Sequence, residues 1–277
     1  MKSKYDIIWL NTVDSTNDEA RRCISDLDNL SVVSALSQTK GRGQRGNTWD
    51  SEPGENLLFS VIMKFDTQPE GIYTSGLSVQ AYDQFVISQI ASLSVVDLLA
   101  SHGIEAKIKW PNDIYVGCEK ICGILVENAV RGKWLSSSII GIGLNVNQRN
   151  FNVNLPNPTS MALCLNKIEN QSARLETKSL LEEFMQIFSE YSDRFCHIKG
   201  GYNRLNMLYL SQLWRKDEVS EFMDLKQTPG KHFKGVIRGI STVGHLMIEM
   251  ESGEMREYAF KEISLIFRTG DNILRQI

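Results

Sequence analysis

A glycine-rich, basic stretch lies in the N-terminal quarter of the chain, KGRGQRGNTWDSEPGENL at residues 40–57. It contains four glycines together with Lys40, Arg42 and Arg45, and Trp49 is its first apolar residue. Glycine lets a backbone approach a ligand closely, and the planar fork of arginine matches carboxylate and phosphate oxygens. The stretch therefore predicts an anion-binding loop, although a solvated surface loop whose glycines serve only turns fits the same residues.

Two motifs further along the chain add polar groups to otherwise apolar segments. KWPNDIYV places Lys109, Asn112 and Asp113 around a proline, which interrupts strand pairing and exposes polar side chains. Asp113 is suited to a magnesium ion or a ribose hydroxyl, but a turn in which the Asn and Asp side chains bond their own backbone is the alternative. Lys120 begins the apolar run KICGILVE, where it either meets an anion or points to solvent.

The segment GIGLNV carries Gly141 and Gly143 on one face of a predicted strand, followed by Asn145. Glycines weaken a strand, so they commonly mark a bulge or a ligand that lies flat against the sheet. The third glycine and the following helix of a dinucleotide-binding fingerprint are missing. The motif therefore predicts a flat binding wall and not a Rossmann site.

These motifs contain no obvious nucleophile, but they supply what is needed to join two anions. If a carboxylate attacks the α-phosphate of ATP, the site has to cancel the repulsion between two negative groups with fixed cations and backbone donors. Arg42, Arg45 and Lys120 are the candidate catalytic cations, and Asp113 is the candidate ligand of Mg²⁺. A non-enzymatic nucleotide sensor or RNA-binding module that uses the two arginines on phosphates is the alternative from another class.

Composition limits the classes of function. The chain has 277 residues and a formal net charge of -3, which gives no general attraction for nucleic acid or anionic membranes. Its five cysteines and four histidines lack the spacing of a disulfide framework or a zinc site. We find no signal peptide and no run near the roughly 20 apolar residues that span a bilayer, so we expect a cytoplasmic protein without membrane association.

The elements that have to position the motifs indicate an α+β fold with a mixed β-sheet. Alternating apolar residues predict strands at YDIIWL, SVVSALSQTK and residues 57–65, and a three-stranded meander over residues 106–147. Helical periodicity predicts three helices packed against this sheet. The first follows Asp14, with Thr16 and Glu19 as a capping box, and the others cover residues 80–101 and 176–196.

The pattern of the sequence changes after Tyr209, where short predicted strands alternate with glycine turns. We therefore predict a main domain over residues 1–222 and a small β-barrel over residues 223–277. About fifty residues give a marginal core, so the small barrel is expected to pack on the main domain.

Taken in order and spacing, GRGQRGNTW, KWPNDIYV, KICGILVE and GIGLNV resemble the motifs of the biotin protein ligases, or biotin–[acetyl-CoA-carboxylase] ligases. The resemblance implies a catalytic domain that binds biotin and ATP, and an SH3-like C-terminal domain. It implies two steps: biotin and MgATP form biotinyl-5′-AMP and pyrophosphate, and a lysine of a biotin carboxyl carrier domain then takes the biotin and releases AMP. The carrier would belong to a biotin-dependent carboxylase.

The resemblance also assigns roles to individual residues. Lys120 corresponds to the lysine that contacts both the biotin carboxylate and the α-phosphate. The residues implied to bind biotin are Ser15, Thr16, Asn17, Gln38, Gly41, Arg42, Gly43, Gln44, Lys120, Gly123, Gly141 and Gly143. The residues implied to bind ATP are Arg45, Trp49, Asn112, Asp113, Lys120 and Asn145.

Two departures from the family pattern matter. Many relatives have arginine where this chain has Gln44, and arginine or asparagine where it has Asn47, so one charge fewer at Gln44 predicts weaker retention of the adenylate. The first predicted strand begins near Tyr5, which leaves no room for the N-terminal helix-turn-helix with which some relatives repress transcription. We therefore expect a short form without a DNA partner, and the sequence leaves monomer and homodimer open.

Lipoate and octanoate protein ligases, whose fold and adenylate chemistry are similar, are the nearest alternative. They need a long apolar groove instead of polar partners for a ureido ring, and the GRG loop and KWPND favour biotin. The acidic balance of the chain and the lack of aromatic residues among the basic ones count against an RNA-binding module.

Overall fold

A computed structural model describes residues 5–67, 78–169, 174–196, 201–269 and 273–276 of the chain. The larger of its two sheets has seven strands in the order β1-β2-β3-β7-β6-β5-β4. The β1–β2 pair is parallel and the other neighbours are antiparallel, which confirms the predicted mixed sheet. The strands are β1 (Ile7–Val13), β2 (Val32–Gln38), β3 (Leu57–Lys64), β4 (Lys107–Lys109), β5 (Asp113–Val116), β6 (Glu119–Arg131) and β7 (Trp134–Leu144).

Five α-helices occur in the described part of the chain: α1 (Thr16–Cys23), α2 (Phe85–Ser101), α3 (Met161–Glu169), α4 (Thr177–Cys196) and α5 (Gly201–Ser211). Helix α2 is apolar on nearly every side, so it is buried, and it packs on α4, on α5 and on strands β4 to β6. The predicted helices over residues 80–101 and 176–196 correspond to α2 and α4. Helices α3 and α5 were not predicted.

The start of α1 differs from the sequence prediction. Ser15 occupies the N-cap position and makes no capping bond with its side chain, so the predicted capping box of Thr16 and Glu19 is wrong. Thr16 is the first helical residue, and its N–H donates to Gln38 Oε1 over 2.7 Å. The side chain of a neighbouring strand satisfies this helix end in place of a local cap.

The run AKIKWPNDIYV forms two strands. Strands β4 and β5 are antiparallel, with Lys109 opposite Asp113, and the chain reverses at Trp110 and Pro111 between them. Proline has no N–H to donate to a sheet, so it lies at the turn and not within a paired strand. The reversal brings the first and last polar residues of the motif side by side.

The C-terminal sheet is antiparallel throughout, with the strand order β11-β10-β9-β8-β12-β13. The predicted boundary between residues 222 and 223 falls inside its first strand, so a boundary that keeps the sheet whole lies before Val219. Phe222 and Tyr258 belong to the same buried core as Phe59 of β3, as expected for a small sheet that packs on the main domain. The strands are β8 (Val219–Asp224), β9 (Lys231–Ile240), β10 (Leu246–Met250), β11 (Met255–Tyr258), β12 (Ile263–Thr269) and β13 (Ile273–Gln276).

One described segment, Ala81–Ser101, is long and apolar enough to cross a membrane by length and composition. The prediction that no run approaches this limit therefore needs correction. Two thirds of the segment's most apolar window (67%) is buried inside the protein. Helix α2 accounts for most of this segment, and its burial is typical of the core helix of a globular domain.

Candidate functional site

A cavity of about 490 Å³ lies where the glycine-rich loop, the larger sheet and the C-terminal sheet meet. The C-terminal sheet and the loops between its strands contribute apolar side chains to its wall, among them Leu225 and Phe260 in the loops. Of the residues predicted to bind biotin or ATP, all whose side chains are described line this cavity except Gly41 and Asn145. Those that do are Ser15, Thr16, Asn17, Gln38, Arg42, Gly43, Gln44, Trp49, Asn112, Asp113, Lys120, Gly123, Gly141 and Gly143.

A hydrogen-bonded polar cluster adjoins the cavity. We define it as Thr16, Asn17, Gln38, Ser60 and Glu127, of which the first three line the cavity wall. The Ser60 hydroxyl lies 2.8 Å from Thr16 Oγ1 and donates to Asn17 Oδ1 over 2.6 Å. Asn17 Nδ2 donates to Glu127 Oε2 over 2.8 Å. Because these bonds join α1, β2, β3 and β6, the cluster fixes the orientation of side chains that face the cavity.

Ser60 was not among the predicted site residues. It is fully buried in the otherwise apolar strand β3, and it lies opposite Gly141 of β7. A hydroxyl at the centre of an apolar run needs a buried partner, which is the signal that would have identified it. The Ser60 hydroxyl bonds Thr16 and Asn17 and helps to hold their side chains in place.

Arg42 is paired with carboxylates. Its guanidinium donates to Asp18 Oδ1 over 2.7 Å and to Glu127 Oε1 over 2.9 Å, and Arg21 contacts the same two acids. The loop cation predicted to neutralise a ligand anion therefore already has its charge balanced. Its described role is to attach the glycine-rich loop to α1 and β6.

The glycine-rich loop closes on itself. Gly43 N–H donates to the Asn47 carbonyl over 2.7 Å, and Trp49 N–H donates to the Gly41 carbonyl over 3.0 Å. A Cβ atom at Gly41 would lie 2.4 Å from the Trp49 carbonyl oxygen, so this glycine is required by backbone packing. Gly41, which was predicted to contact biotin, does not line the cavity. Arg45 also lies in this loop, within the turn Gln44–Gly46, and its side chain is outside the described part of the structure.

The predicted glycine wall exists, but the protein's own side chains cover it. Gly123 and Gly143 are opposite each other on β6 and β7. A Cβ atom at these positions would lie 2.8 Å and 2.5 Å from the Trp49 indole, and one at Gly141 would lie 2.1 Å from Asn17 Oδ1. Trp49 therefore lies flat on the surface predicted for biotin. Its buried Nε1 has no hydrogen-bond partner within the described residues.

A second part of the cavity is the lysine site, which we define as Lys109, Asp113, Tyr115 and Lys120. Lys120 Nζ lies 2.8 Å from Asp113 Oδ1 and 5.6 Å from the centre of a Trp49 ring. Its backbone N–H and carbonyl are also held, by the Asn157 carbonyl and the Thr159 N–H. The residue predicted to be catalytic is thus half-buried and fixed at both ends.

Lys109 lines the cavity beside this pair, although no role was predicted for it. Its Nζ lies 5.4 Å from the centre of the Tyr115 ring. Burial lowers the pKa of Lys109 to about 8; the Asp113 carboxylate opposes this shift and the Lys120 ammonium adds to it. Burial also raises the pKa of Tyr115, whose hydroxyl has no hydrogen-bond partner in the described part.

Two asparagines predicted to contact the nucleotide bond the backbone instead. Asn112 Nδ2 donates to the Ile124 carbonyl, and Ile124 N–H donates back to the Asn112 carbonyl over 3.2 Å, so Asn112 links β5 to β6. Asn145 Nδ2 donates to the Thr159 carbonyl over 2.9 Å, and the residue lies outside the cavity wall. Both amide groups therefore bond carbonyls 12 and 14 residues away, and not their own local backbone as in the turn alternative.

Within the described ranges, no group of three or more His, Cys, Asp or Glu side chains could hold a metal ion. Asp113 is the single acidic residue among those that line the cavity. One carboxylate is sufficient for Mg²⁺ that remains bound to phosphate oxygens and water, but not for a metal held by protein groups alone.

Comparisons with known proteins agree with this geometry. Residues 9–145 match the model of the biotin/lipoate A/B protein ligase family. The chain is 28% identical to the chloroplastic biotin–protein ligase 1 of Arabidopsis thaliana and 26% identical to the bifunctional ligase/repressor BirA of Bacillus spizizenii, in each case over 91% of this chain. It spans 64% and 72% of their respective lengths.

The fold is similar to that of the Aquifex aeolicus biotin protein ligase in complex with biotin and ATP. The TM-score is 0.71 at 26% identity, and the match covers 94% of this chain and 98% of the other. A biotin protein ligase of Leishmania major in complex with biotin is also similar, with a TM-score of 0.58 at 19% identity. The second match bears on the fold alone.

Proposed function

The chain belongs to the biotin/lipoate A/B protein ligase family, and on this premise we propose that it is a biotin protein ligase. It activates biotin with ATP as biotinyl-5′-AMP, and then transfers biotin to a lysine of a biotin carboxyl carrier domain. The observation that carries this proposal is that the polar cluster and the lysine site line one cavity. One part suits a neutral ring with donors and acceptors, and the other suits an anion.

Strand β6 connects the two parts. Lys120 lies at its start, and Glu127, which bonds Asn17, lies seven residues further along the same strand. A biotin molecule whose ureido ring meets Asn17, Thr16 or Gln38 would direct its carboxylate along β6 towards Lys120. A lipoate ring offers no comparable hydrogen-bonding groups, so the polar cluster favours biotin over lipoate.

The first chemical step joins two groups of like charge. A biotin carboxylate oxygen attacks the α-phosphorus, the bond to the β-phosphate breaks, and pyrophosphate leaves. Lys120 reduces the repulsion by donating to oxygens of both reactants, and Asp113 holds its ammonium in place before they arrive. If Mg²⁺ accompanies ATP, it would balance phosphate charge, and Asp113 is the carboxylate that would hold it.

The second step requires an amine that can reach the mixed anhydride. The carrier lysine, as a free amine, attacks the acyl carbon of biotinyl-5′-AMP, an amide bond forms, and AMP leaves with its phosphate. The positive charge of Lys120 stabilises the departing phosphate oxygen. The carrier domain and the cytoplasmic location are part of the proposal.

The test is mass spectrometry of a purified biotin carboxyl carrier domain after incubation with the protein, MgATP and equal amounts of biotin and lipoate. We expect a biotin adduct on one lysine. Lys120→Ala should slow its formation by about 100- to 1000-fold, as for removal of one donor that stabilises transition-state charge. The matched control is Lys167→Ala, which removes an exposed lysine of α3 that pairs with Glu119 outside the cavity.

The outcomes separate the alternatives. A lipoyl adduct would preserve the adenylate chemistry and overturn biotin as the substrate. Nucleotide binding without any adduct would favour the non-enzymatic sensor. An equal loss of rate in Lys120→Ala and Lys167→Ala would remove the catalytic role from Lys120.

A further inference from the structure

Among the described residues that line the cavity, one cation forms no ion pair with a carboxylate. Three cationic side chains line it in the described part of the chain: Arg42, Lys109 and Lys120. Arg42 is paired with Asp18 and Glu127, and Lys120 is paired with Asp113. Lys109 has neither a carboxylate within ion-pair distance nor a hydrogen bond among the described residues, and its one described contact is the Tyr115 ring. Of the three cations predicted to be catalytic, Arg42 and Lys120 are already paired with carboxylates, and the Arg45 side chain is outside the described part of the structure.

An unpaired ammonium in a half-buried position is costly, because the protein replaces its water without supplying an opposite charge. The lowered pKa of Lys109 has the same cause, and at about 8 it leaves the side chain predominantly protonated at neutral pH. An incoming anion would remove this cost. Lys109 is therefore arranged to gain from a negatively charged ligand in a way that Arg42 is not.

The groups around Lys109 indicate which part of a ligand it meets. Tyr115 and Trp49 line the same cavity, and the buried Tyr115 hydroxyl and Trp49 Nε1 have no hydrogen-bond partner in the described structure. Three donors without acceptors in one cavity call for a ligand rich in acceptor oxygens. Lys109 is opposite Asp113 on the β4–β5 hairpin, and Asp113 in turn holds Lys120, so both lysines flank one carboxylate.

We propose that Lys109 is a further catalytic residue, which donates to a non-bridging oxygen of the α-phosphate during adenylation and holds the same oxygen in biotinyl-5′-AMP. The proposal rests on the proposed function. In the step itself, the carboxylate–phosphorus bond forms, the bond between the α- and β-phosphates breaks, and pyrophosphate carries away the electron pair. Lys109 remains protonated throughout, and its positive charge balances the α-phosphate while Lys120 faces the attacking carboxylate.

The test compares Lys109→Met with Lys109→Arg and measures binding of biotin and of synthetic biotinyl-5′-AMP separately by calorimetry. Biotin contains no phosphate, so its Kd should stay within about twofold of wild type in both variants. The Kd of biotinyl-5′-AMP and the rate of biotin-dependent pyrophosphate exchange should each worsen by about 10- to 100-fold in Lys109→Met, the usual range for loss of a charge-assisted bond. Lys109→Arg keeps the charge and should recover part of the loss.

The matched control is Lys107→Met. Lys107 lies two residues earlier on β4, bonds Gln212, and does not line the cavity, so its removal should leave both Kd values and the exchange rate unchanged. Lys109→Met should fold at least as stably as wild type, because it removes an unpaired charge from a half-buried position. A thermal melt checks this expectation. If Lys109→Met fails to fold, the same binding and exchange measurements are made on Lys109→Arg.

Each contrary result has a specific meaning. An unchanged Kd for biotinyl-5′-AMP in Lys109→Met would overturn the α-phosphate contact, even with slow exchange, because the lost contact would then lie on the departing pyrophosphate. An equal weakening of biotin binding would show a structural role only. If the wild type shows no biotin-dependent exchange, the proposed function fails first; if it does and Lys109→Met equals it, this inference fails alone.

Discussion

The polar cluster and the lysine site line the same cavity but differ in how completely their polar groups are paired. In the polar cluster, each of the five side chains has a described hydrogen bond. In and beside the lysine site, Lys109 has no acid partner, and the Tyr115 hydroxyl and Trp49 Nε1 have no partner in the described structure. The polar cluster is complete without a ligand, whereas the lysine site lacks acceptors.

The two parts therefore suit different ligands. A neutral ring is selected by groups whose positions are fixed beforehand, because any freedom left in them has to be lost on binding. The lysine site has to bind two anions, and this requires cations that are not already paired with carboxylates. Lys120 also has to be released in part from Asp113 before it can meet two reactants, so binding at the lysine site involves an exchange of partners that the polar cluster does not require.

Gly141→Ala should break the polar cluster and give the largest effect on binding. A Cβ atom at this position would lie 2.1 Å from Asn17 Oδ1, so Asn17 has to move away from Ser60 and Glu127. Loss of two or three buried hydrogen bonds predicts a rise of about 100-fold in the Kd of biotin, measured by calorimetry.

Gly239→Ala is the control, because it places a methyl group on a strand glycine whose nearest neighbour is 3.9 Å away. It should leave biotin binding unchanged and report any general sensitivity of the sheets to alanine. A biotin Kd within threefold of wild type in Gly141→Ala would show that Asn17 does not select the ring.

Glu127→Gln should weaken the attachment of the glycine-rich loop with a smaller effect. The substitution keeps the size of the side chain but removes the charge that Arg42 and Arg21 share. Because Glu127 is about 25% exposed, solvent screens the pair, and we expect about a tenfold rise in the Kd of biotin. Hydrogen exchange at residues 41–49 should become faster at the same time.

Glu119→Gln provides the comparison on the same strand. Glu119 begins β6 and pairs with Lys167 outside the cavity, so its loss should change neither biotin binding nor hydrogen exchange in the loop. Faster exchange in Glu127→Gln without any change in biotin affinity would separate loop attachment from recognition of the ring.

Much of the fold and many of the site residues could be predicted from the sequence, because strands and helices follow local periodicity. The mixed sheet, the meander and the buried helix α2 were predicted from apolar spacing, and the α+β fold class is confirmed. Short motifs also predicted most of the residues that line the cavity. What sequence spacing could not show was which partner each polar group has.

Those partners are distant in sequence. Arg42 bonds Glu127 across 85 residues, and Thr16 bonds Gln38 across 22, so neither pair is visible in a local pattern. Arg42 was predicted to meet an anion from its residue type, but the sheet places two carboxylates beside it. Lys109 was placed in its motif without a role, and it can be recognised only in three dimensions that Asp113 pairs with Lys120 while Lys109 has no ion pair among the described residues.

Trp49→Ala would sharpen the comparison by exposing the glycine surface between the two parts. The indole lies on Gly123 and Gly143, so a ligand on this surface has to displace it. We expect biotin to bind about threefold more tightly to the variant, since the displacement cost disappears and a minor binding-competent state no longer limits affinity. Weaker biotin binding would instead show that the indole packs against biotin and not in its place.

The same displacement has a spectroscopic signature in the wild-type protein. Moving the Trp49 indole from its buried position should change the tryptophan emission when biotin or biotinyl-5′-AMP binds. The change should be absent in Trp49→Phe and retained in Trp9→Phe, because Trp9 lies on the edge strand β1 and does not line the cavity. An emission change that survives Trp49→Phe would assign the signal to another tryptophan.

Gln44→Arg should give the smallest effect, on release of the adenylate. Gln44 lines the cavity, and its Oε1 is buried without a described partner. An arginine here adds a charge near a ligand that carries one phosphate, and a partly solvated contact of this kind predicts about twofold slower release of biotinyl-5′-AMP. Release is measured by diluting the loaded protein into a trap of unlabelled intermediate.

Glu52→Gln changes the net charge by the same single unit on an exposed residue outside the cavity, so it tests whether overall charge alone matters. If Gln44→Arg slows release and Glu52→Gln does not, one added cation beside the incompletely paired groups of the cavity strengthens retention of biotinyl-5′-AMP. If the wild type already releases the intermediate as slowly as Gln44→Arg, the pairing of Lys120 and Lys109 with the adenylate is sufficient. In that case, the missing charge at Gln44 has no consequence for retention.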